Sequence, residues 1–366
     1  MGRARGSSES RGTGRGTGRG TGQGTGQGTG WYRSVARPLL FSIPPEAAHR
    51  LAQGLLSLPL PWERLGGADR DPALRLSLAG IPLANPVGLA AGFDKTGRHV
   101  DALGRLGFGY VVCGTFTRRP RRGNAKPRIV RYPDRASMVN AMGLPNPGAE
   151  AASRALGRTA PRGPRVASIA DQDLPDVLET HAVLEPFVDA IELNASCPNV
   201  AWGRDRDNEA HLANLLRELG TRRVRPLFVK LPPFRTEVER EVVLALAAIA
   251  REQGADALTI SNTLPVRDAR VSIGRGGLSG RELLDVTLAC VHAVRGVMGP
   301  GMPVNASGGI STPADALAAI EAGATTVQVY TGLVFRGPGV VGELTAGLAG
   351  ALRSRRIDLA SLVGTA

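Results

Sequence analysis

Short apolar runs alternate with stretches of helical periodicity from about Asn85 to Leu352. Eight of the runs predict β-strands, namely Pro86–Ala91, Tyr110–Phe116, Arg165–Ala170, Ala190–Ala195, Pro226–Lys230, Ala257–Asn262, Pro303–Ala306 and Thr326–Thr331. Between them, apolar residues at spacings of three and four predict amphipathic helices, such as Val238–Glu252, Glu282–Val297 and Pro313–Ala322. Eight βα units in about 270 residues favour a TIM (β/α)8 barrel. A doubly wound open sheet is the alternative, but the first strand lacks a following G-x-G-x-x-G turn.

The segment before the barrel has a different pattern. The run Ser34–Phe41 is followed by Ser42-Ile43-Pro44-Pro45, which indicates the end of one helix and the start of another. After Glu46, apolar residues recur at spacings of three and four until Pro59 and Pro61. We therefore predict a small N-terminal helical extension. It either caps the barrel by packing or contacts a membrane surface or a hydrophobic substrate.

Residues 1–30 form a Gly/Thr/Arg-rich tract with almost no apolar side chains, so we expect a disordered tail and no secretory signal. The predicted organisation is this tail, a helical segment at 31–80, the barrel at 81–355 and a C-terminal tail at 356–366.

Composition limits the chemistry. Of 366 residues, 42% are hydrophobic, and no window approaches the roughly 18 consecutive apolar residues of a membrane span. The cysteines are too far apart for a disulfide framework or a zinc site, and we predict no metal; they are Cys113, Cys197 and Cys290. We expect a reducing compartment.

Lysine is scarce in this basic chain, whose formal net charge is +13. Among 45 Lys and Arg residues, only Lys95, Lys126 and Lys230 are lysine. Because arginine cannot replace lysine in every chemical role, the remaining lysines are candidates for function. Lys230 ends the fifth predicted strand, where its ammonium would stabilise a phosphate or a reduced flavin ring.

Polar residues follow the predicted strands, at the end of a barrel where active sites lie. Asparagines at Asn140, Asn194, Asn199 and Asn262, together with Lys95, would suit a small, planar, amide-rich anion such as a pyrimidine carboxylate. Two further segments are interpreted as polar loops of the same rim, at 140–146 and 276–280. Glycine-rich loops after the last two strands are typical of a barrel phosphate site.

Cys197 is the best candidate for a general base, since it follows the fourth strand and precedes Pro198. The histidines His99, His181, His211 and His292 fall in predicted helices, away from strand ends. Cys113 and Cys290 are interpreted as core residues.

These motifs resemble the dihydroorotate dehydrogenases, flavin enzymes of pyrimidine biosynthesis. The resemblance extends from about Trp31 to Gly350 and is sharpest at NPVGLAAGFDK, GNAKPR, NAMGLPNPG, NASCPN, GGLSGR and VQVYTG. It implies oxidation of dihydroorotate to orotate, with hydride transfer to FMN and then electron transfer to an acceptor. It also implies that Cys197 takes the C5 proton.

The resemblance assigns binding residues by position. Those implied to hold the substrate are Lys95, Asn140, Met142, Gly143, Leu144, Asn194, Asn199, Asn262 and Thr263. Those implied to hold FMN are Ala91, Thr115, Ser168, Asn194, Lys230, Ser261, Gly280, Gly309, Tyr330 and Thr331.

The electron acceptor divides this family. The N-terminal segment around His49, and Arg131, resemble the membrane-associated class that reduces quinone, whereas Cys197, Ser168 and the NAMGLPNPG loop resemble the soluble class. Since a quinone needs an apolar entry, we expect quinone as acceptor and a peripheral location on the cytoplasmic side of the cell membrane.

The sequence is also compatible with other functions. They are a soluble-class enzyme using fumarate or NAD, a flavin barrel similar to tRNA-dihydrouridine synthases, a flavin-free barrel such as a phosphosugar isomerase, and a paralogue without turnover. The tRNA alternative lacks a separate RNA-binding domain after the barrel, so we expect no nucleic-acid partner.

Overall fold

The computed structural model describes residues 30–160, 162–196 and 208–363, and the strands within these ranges form three sheets. In chain order the strands are β1 (Leu76–Leu78), β2 (Ile81–Leu83), β3 (Val87–Leu89), β4 (Tyr110–Phe116), β5 (Ile129–Tyr132), β6 (Ser137–Asn140), β7 (Arg165–Ile169), β8 (Ala190–Asn194), β9 (Leu227–Leu231), β10 (Ala257–Ile260), β11 (Leu264–Arg267), β12 (Arg275–Gly280), β13 (Val304–Ser307) and β14 (Thr326–Val329).

The helices surround these sheets. A π-helical turn at Tyr32–Ala36 continues directly into the first α-helix, and short 3₁₀ turns lie at Pro72–Leu74, Pro133–Arg135, Glu185–Phe187 and Arg281–Leu283. The α-helices are α1 (Arg37–Phe41), α2 (Pro45–Leu56), α3 (Trp62–Gly66), α4 (Val100–Arg105), α5 (Ala149–Gly157), α6 (Leu174–Leu184), α7 (Asn208–Gly220), α8 (Glu237–Glu252), α9 (Leu284–Met298), α10 (Pro313–Glu321), α11 (Thr331–Arg336), α12 (Val340–Arg355) and α13 (Leu359–Leu362).

Eight parallel strands close into a barrel in the order β3-β4-β7-β8-β9-β10-β13-β14, and β14 pairs back onto β3. The prediction of a TIM barrel is therefore confirmed. Local signals explain where its outer helices begin. Thr236 and Thr312 each form a capping box that satisfies the first amides of α8 and α10.

The β1–β2 hairpin covers the amino-terminal end of the barrel. Leu78 and Leu83 are buried there in one apolar cluster with interior residues that include Tyr110, Val112 and Phe228. Packing of this cluster excludes water from that end, so the open end of the barrel is the one at which the strands finish.

A four-stranded antiparallel sheet in the order β11-β12-β6-β5 lies at the carboxyl end of the barrel. The interpretation of 276–280 as a loop was wrong, because these residues belong to β12 and pair with β6. Close approach explains the glycines: a Cβ on Gly277 would lie 1.9 Å from the Thr263 hydroxyl oxygen. Asn140 is likewise the last residue of β6; the rest of its predicted loop lies outside helices and strands, and Asn146 forms an isolated β-bridge with Arg121.

The predicted N-terminal helical pair is present as the turn at Tyr32–Ala36 with α1, followed by α2. It packs on the open end of the barrel: the Phe41 ring contacts Phe335 edge-on at 5.2 Å between centroids, and the Tyr32 hydroxyl donates to the Val334 carbonyl at 2.7 Å. Both partners belong to α11, which follows the last barrel strand.

We expect Leu78→Ala to lower the free energy of unfolding by about 2–5 kcal/mol, because it leaves a cavity in the closed end of the barrel. Thermal and urea unfolding of the purified protein measure this change. Val224→Ala is the matched control, since Val224 is 84% exposed, and its effect should stay within about 0.5 kcal/mol. Equal stabilities of the two variants would contradict the packing described for the hairpin.

Candidate active site

A cavity of about 780 Å³ opens at the carboxyl end of the barrel, a volume typical of small-molecule sites. It is lined by most of the residues assigned from the sequence: Ala91, Lys95, Thr115, Asn140, Met142, Gly143, Leu144, Asn194, Lys230, Ser261, Asn262, Thr263, Gly280, Gly309, Tyr330 and Thr331. Ser168 does not line it but lies behind Thr115, 3.0 Å from that hydroxyl. Cys197 and Asn199 lie outside the described residues.

A hydrogen-bonded network forms one wall of the cavity. The Asn194 amide donates to the Thr115 hydroxyl at 3.3 Å and accepts from the Ser196 hydroxyl at 2.8 Å. The Asn262 amide in turn donates to the Ser196 hydroxyl at 2.8 Å. Asn194 and Ser196 lie at the end of β8, Thr115 lies near the end of β4 and Asn262 follows β10, so barrel closure brings the ends of three strands into contact.

Lys95 is one of the cations that line the cavity. Its ammonium donates to the Gly92 carbonyl at 2.6 Å and lies 3.4 Å from Nε2 of His49. Burial and the nearby Arg128 lower the pKa of Lys95 to about 8, while Asp94 and Glu46 act in the opposite direction. An anion bound beside Lys95 would favour the charged ammonium.

Asp94 shapes the loop that carries Lys95, a role that the sequence interpretation missed. Its carboxylate accepts hydrogen bonds from the backbone amides of Thr96, Gly97 and His99 at 2.8–3.0 Å. This arrangement is an extended Asx turn, for which the signal in the sequence is an Asp with Thr and Gly two and three residues later.

His49 of α2 also reaches the site. Its ring contacts Phe93 edge-on at 5.3 Å, and Phe93 contacts Tyr330 in the same way at 5.6 Å. Burial, with a smaller effect of Lys95, lowers the pKa of His49 to about 3. A neutral imidazole can therefore accept a hydrogen bond from the Lys95 ammonium.

Lys230 and Gly309 fit a bound flavin nucleotide of the type that the sequence motifs imply. Lys230 is only 5% exposed and faces the cavity, and among the described residues its ammonium has no hydrogen-bond partner. Gly309 has a φ of +78°, and a Cβ there would lie 2.4 Å from the Leu284 backbone. A side chain at this position would displace the loop after β13, so the close approach of backbone amides to a ligand depends on glycine.

Arg131 does not line the cavity. Its guanidinium donates to the carbonyls of Leu40, Phe41 and Ile43 at 3.0, 3.3 and 2.5 Å and lies 4.4 Å from the Phe41 ring centroid. It thereby fixes the turn between α1 and α2. The cavity reaches the π-helical turn and α1 through Arg33 and Arg37, and it reaches α11 through Phe335.

Cys113 and Cys290 are fully buried, and burial raises the pKa of Cys290 to about 11, as expected for core thiols. Within 30–160, 162–196 and 208–363, no cluster of His, Cys, Asp and Glu suits a metal ion. None of the helices in those ranges combines the length and the apolar character required to cross a bilayer.

Residues 73–352 match the family model described as dihydroorotate dehydrogenase. A relative named dihydroorotate dehydrogenase (quinone) from Thermus thermophilus is 38% identical over 84% of this chain and 94% of its own. One with the same name from Roseiflexus sp. is 36% identical over 87% of this chain and 94% of its own.

Solved structures are similar as well. The ligand-free DHODH from Eimeria tenella is 29% identical, with a TM-score of 0.74 over 88% of this chain and 99% of that chain. Its complex with ferulenol has the same TM-score at 27% identity and covers 89% and 98% of the two chains.

We expect Lys95 to titrate near pH 8, since burial penalises its charged form and lowers its pKa from the ordinary value of about 10.4. The chain has only three lysines, so ¹³Cε-lysine labelling resolves them by NMR, and Lys95→Arg assigns the signal. A Lys95 signal that titrates at the ordinary value would show that the ammonium is solvated.

Proposed function

The chain belongs to the dihydroorotate dehydrogenase family, and from this we propose that it oxidises dihydroorotate to orotate in pyrimidine biosynthesis, with FMN as cofactor and a quinone as electron acceptor. The observation that carries the proposal is one cavity in which a partly buried lysine, asparagine amides and a second, buried lysine meet; they are Lys95, Asn140, Asn194, Asn262 and Lys230.

Substrate recognition follows from the chemistry of dihydroorotate, a ring with two carbonyl groups, two N–H groups and a carboxylate. The Lys95 ammonium neutralises the carboxylate. Asparagine side chains each offer a donor and an acceptor, which match the alternating N–H and C=O groups of the ring. The substrate side of the cavity also includes Met142, Gly143, Leu144 and Thr263. Asn199 is assigned to this side from the sequence.

FMN would occupy the side of the cavity formed by β13, β14 and Lys230. The phosphate would be held by Gly280, Gly309, Tyr330 and Thr331. The flavin ring would lie along Ala91, Thr115, Asn194 and Ser261, with Ser168 behind Thr115. When bound, FMN would accept the hydride from C6 of dihydroorotate and supply electrons to the quinone. The Lys230 ammonium would stabilise negative charge on the ring.

Cys197 would remove the proton from C5 of dihydroorotate as a thiolate. The assignment rests on its place in the NASCPN motif, directly after Ser196, which the structure describes at the edge of the asparagine network. The lowered pKa of His49 and its contact with Lys95 leave that imidazole as a hydrogen-bond acceptor rather than a proton carrier.

Quinone access and membrane contact would both use the N-terminal helical pair. Its exposed apolar residues are Trp31, Val35 and Leu39 on the first helical stretch, Leu51 and Leu55 on α2, and Leu58 just after α2. We call these six residues the apolar face. A solvent-exposed apolar stripe over the mouth suits a monotopic contact with the cytoplasmic surface of the cell membrane.

We expect Cys197→Ala to retain flavin and to lower dihydroorotate oxidation by about 10²–10⁴-fold, the usual contribution of a general base. Flavin absorbance and orotate formation measure the two effects. Cys290→Ala is the control, because that buried thiol does not line the cavity and its loss should leave turnover largely intact. Undiminished turnover in Cys197→Ala would exclude Cys197 as the base.

We expect the double variant Leu39→Glu, Leu55→Glu to bind lipid vesicles at least about tenfold more weakly, because charge replaces side chains that would enter the interface. Turnover with a long-chain quinone in vesicles should fall, while turnover with a water-soluble acceptor should not. Val224→Glu is the control: it changes a residue that is 84% exposed near the start of β9, at the opposite end of the barrel. Equal vesicle binding by both variants would contradict membrane contact through the apolar face.

A further inference from the structure

Helix α2 directs two polar side chains toward the mouth of the barrel. Glu46 and His49 are three residues apart and therefore share one face of the helix. His49 lies 3.4 Å from the Lys95 ammonium, and the Glu46 carboxylate accepts two hydrogen bonds from Arg128, from Nε and Nη2, at 3.0 Å each. A helix outside the barrel thus contacts both Lys95, the proposed partner of the substrate carboxylate, and the segment before β5.

Arg128 connects this helix to a loop of the site. While Glu46 holds one edge of its guanidinium, Nη1 donates to the carbonyls of Arg122 and Asn124 at 2.9 and 3.2 Å. The Arg128 carbonyl accepts from the Ala141 amide at 2.8 Å. The Arg128 and Glu46 side chains are 12% and 17% exposed, so this bidentate ion pair is largely shielded from solvent.

Asn124 carries the connection to the substrate loop. Its backbone amide donates to the Met142 carbonyl at 2.9 Å, and its side chain donates to the Ala141 carbonyl at 2.9 Å. Contact with the next residue is close, because a Cβ on Gly143 would lie 2.7 Å from the Asn124 side-chain oxygen. The position of Arg128 therefore determines where Met142 and Gly143, two proposed substrate contacts, can lie.

The same ion pair acts on the charge of Lys95. The groups that face Lys95 are Asp94 on its own loop, His49 and Glu46 on α2, and Arg128. Lys126 lies 3.9 Å from the Glu46 carboxylate. Arg128 lowers the pKa of Lys95 and Glu46 raises it. Loss of the Glu46 charge would therefore leave the effect of Arg128 on Lys95 uncompensated, and the pKa of Lys95 would fall.

We propose that Glu46 is a positioning residue for the dihydroorotate site: through Arg128 it holds Asn124 against Met142 and Gly143, and its charge maintains the cation at Lys95. The inference rests on the proposed function for its substrate. It gives the N-terminal helical pair a role on the substrate side, in addition to contact with a quinone or a membrane.

The test is Glu46→Gln, with KM for dihydroorotate and kcat followed from pH 6 to pH 9. Lys95 should lose its charge at lower pH in this variant, so the rise of KM with pH should begin earlier. A fall of one unit in the Lys95 pKa would raise KM at pH 8 by about fivefold. We expect kcat to change less than about twofold, because the substituted group touches no reacting atom.

Glu63→Gln is the matched control. Glu63 lies in the first turn of α3 and pairs with Arg105 at 3.7 Å, away from the cavity. Its KM profile should coincide with that of the unsubstituted protein. A Glu46→Gln profile that also coincides with it would overturn the proposal.

Two further measurements separate the parts of the proposal. In Glu46→Gln, Arg128→Gln both charges are absent, so the pH at which KM rises should return toward that of the unsubstituted protein. In both variants KM below pH 7 should exceed that of the unsubstituted protein, because Asn124 has lost its anchor. An unchanged KM below pH 7 would overturn the positioning role. This variant also serves if Glu46→Gln does not fold, since removal of both partners leaves no unpaired buried charge.

The ¹³C titration of Lys95 measures the effect of the Glu46 charge on the protonation of Lys95 and does not require turnover. A lower midpoint in Glu46→Gln than in Glu63→Gln supports the proposal, and equal midpoints overturn its electrostatic part. If the unsubstituted protein does not oxidise dihydroorotate, the proposed function fails, while this titration still decides whether Glu46 controls the charge of Lys95.

Discussion

Closure of the parallel barrel is the constraint on which the site depends. When eight parallel strands form a ring, all of them finish at one rim, and the residues that follow them converge whatever their distance along the chain. Lys95, Asn194 and Asn262 meet for this reason. The β1–β2 hairpin covers the other end with apolar side chains, so the polar cavity has a single open side formed by strand ends.

Arginine side chains hold the N-terminal helical pair and the loop around Asn124 at that open side. Arg131 fixes the turn of the N-terminal helical pair through backbone carbonyls, and Arg128 joins the second helix to the loop around Asn124. Guanidinium groups suit this task because one planar group can donate to several acceptors at once. Two of the three lysines, Lys95 and Lys230, lie where a compact ammonium faces the cavity.

The barrel was predictable because its signals are local. All eight predicted strands are present with bounds that differ by at most two residues, and α10 begins at Thr312-Pro313, where the threonine caps the helix. The family resemblance drawn from the motifs is confirmed.

The four-stranded sheet at the carboxyl end of the barrel was not predicted, because β12 contains glycines whose lack of a side chain removes the alternating pattern. The Glu46–Arg128 pair joins residues 82 positions apart, for which one sequence holds no signal. Cys197 and Asn199 lie outside the described residues, so their roles stay predictions from the motif.

The mixed features of the chain, a quinone-type helical pair with a cysteine in the NASCPN motif, make the electron acceptor the central question. The most direct measurement is steady-state orotate formation from dihydroorotate by the purified flavin-loaded protein, with a quinone, fumarate and NAD supplied in parallel. We expect turnover with the quinone to be at least about tenfold faster than with either soluble acceptor, because binding to the apolar face favours an apolar oxidant. Faster turnover with fumarate or NAD, or no orotate with any acceptor, would contradict it.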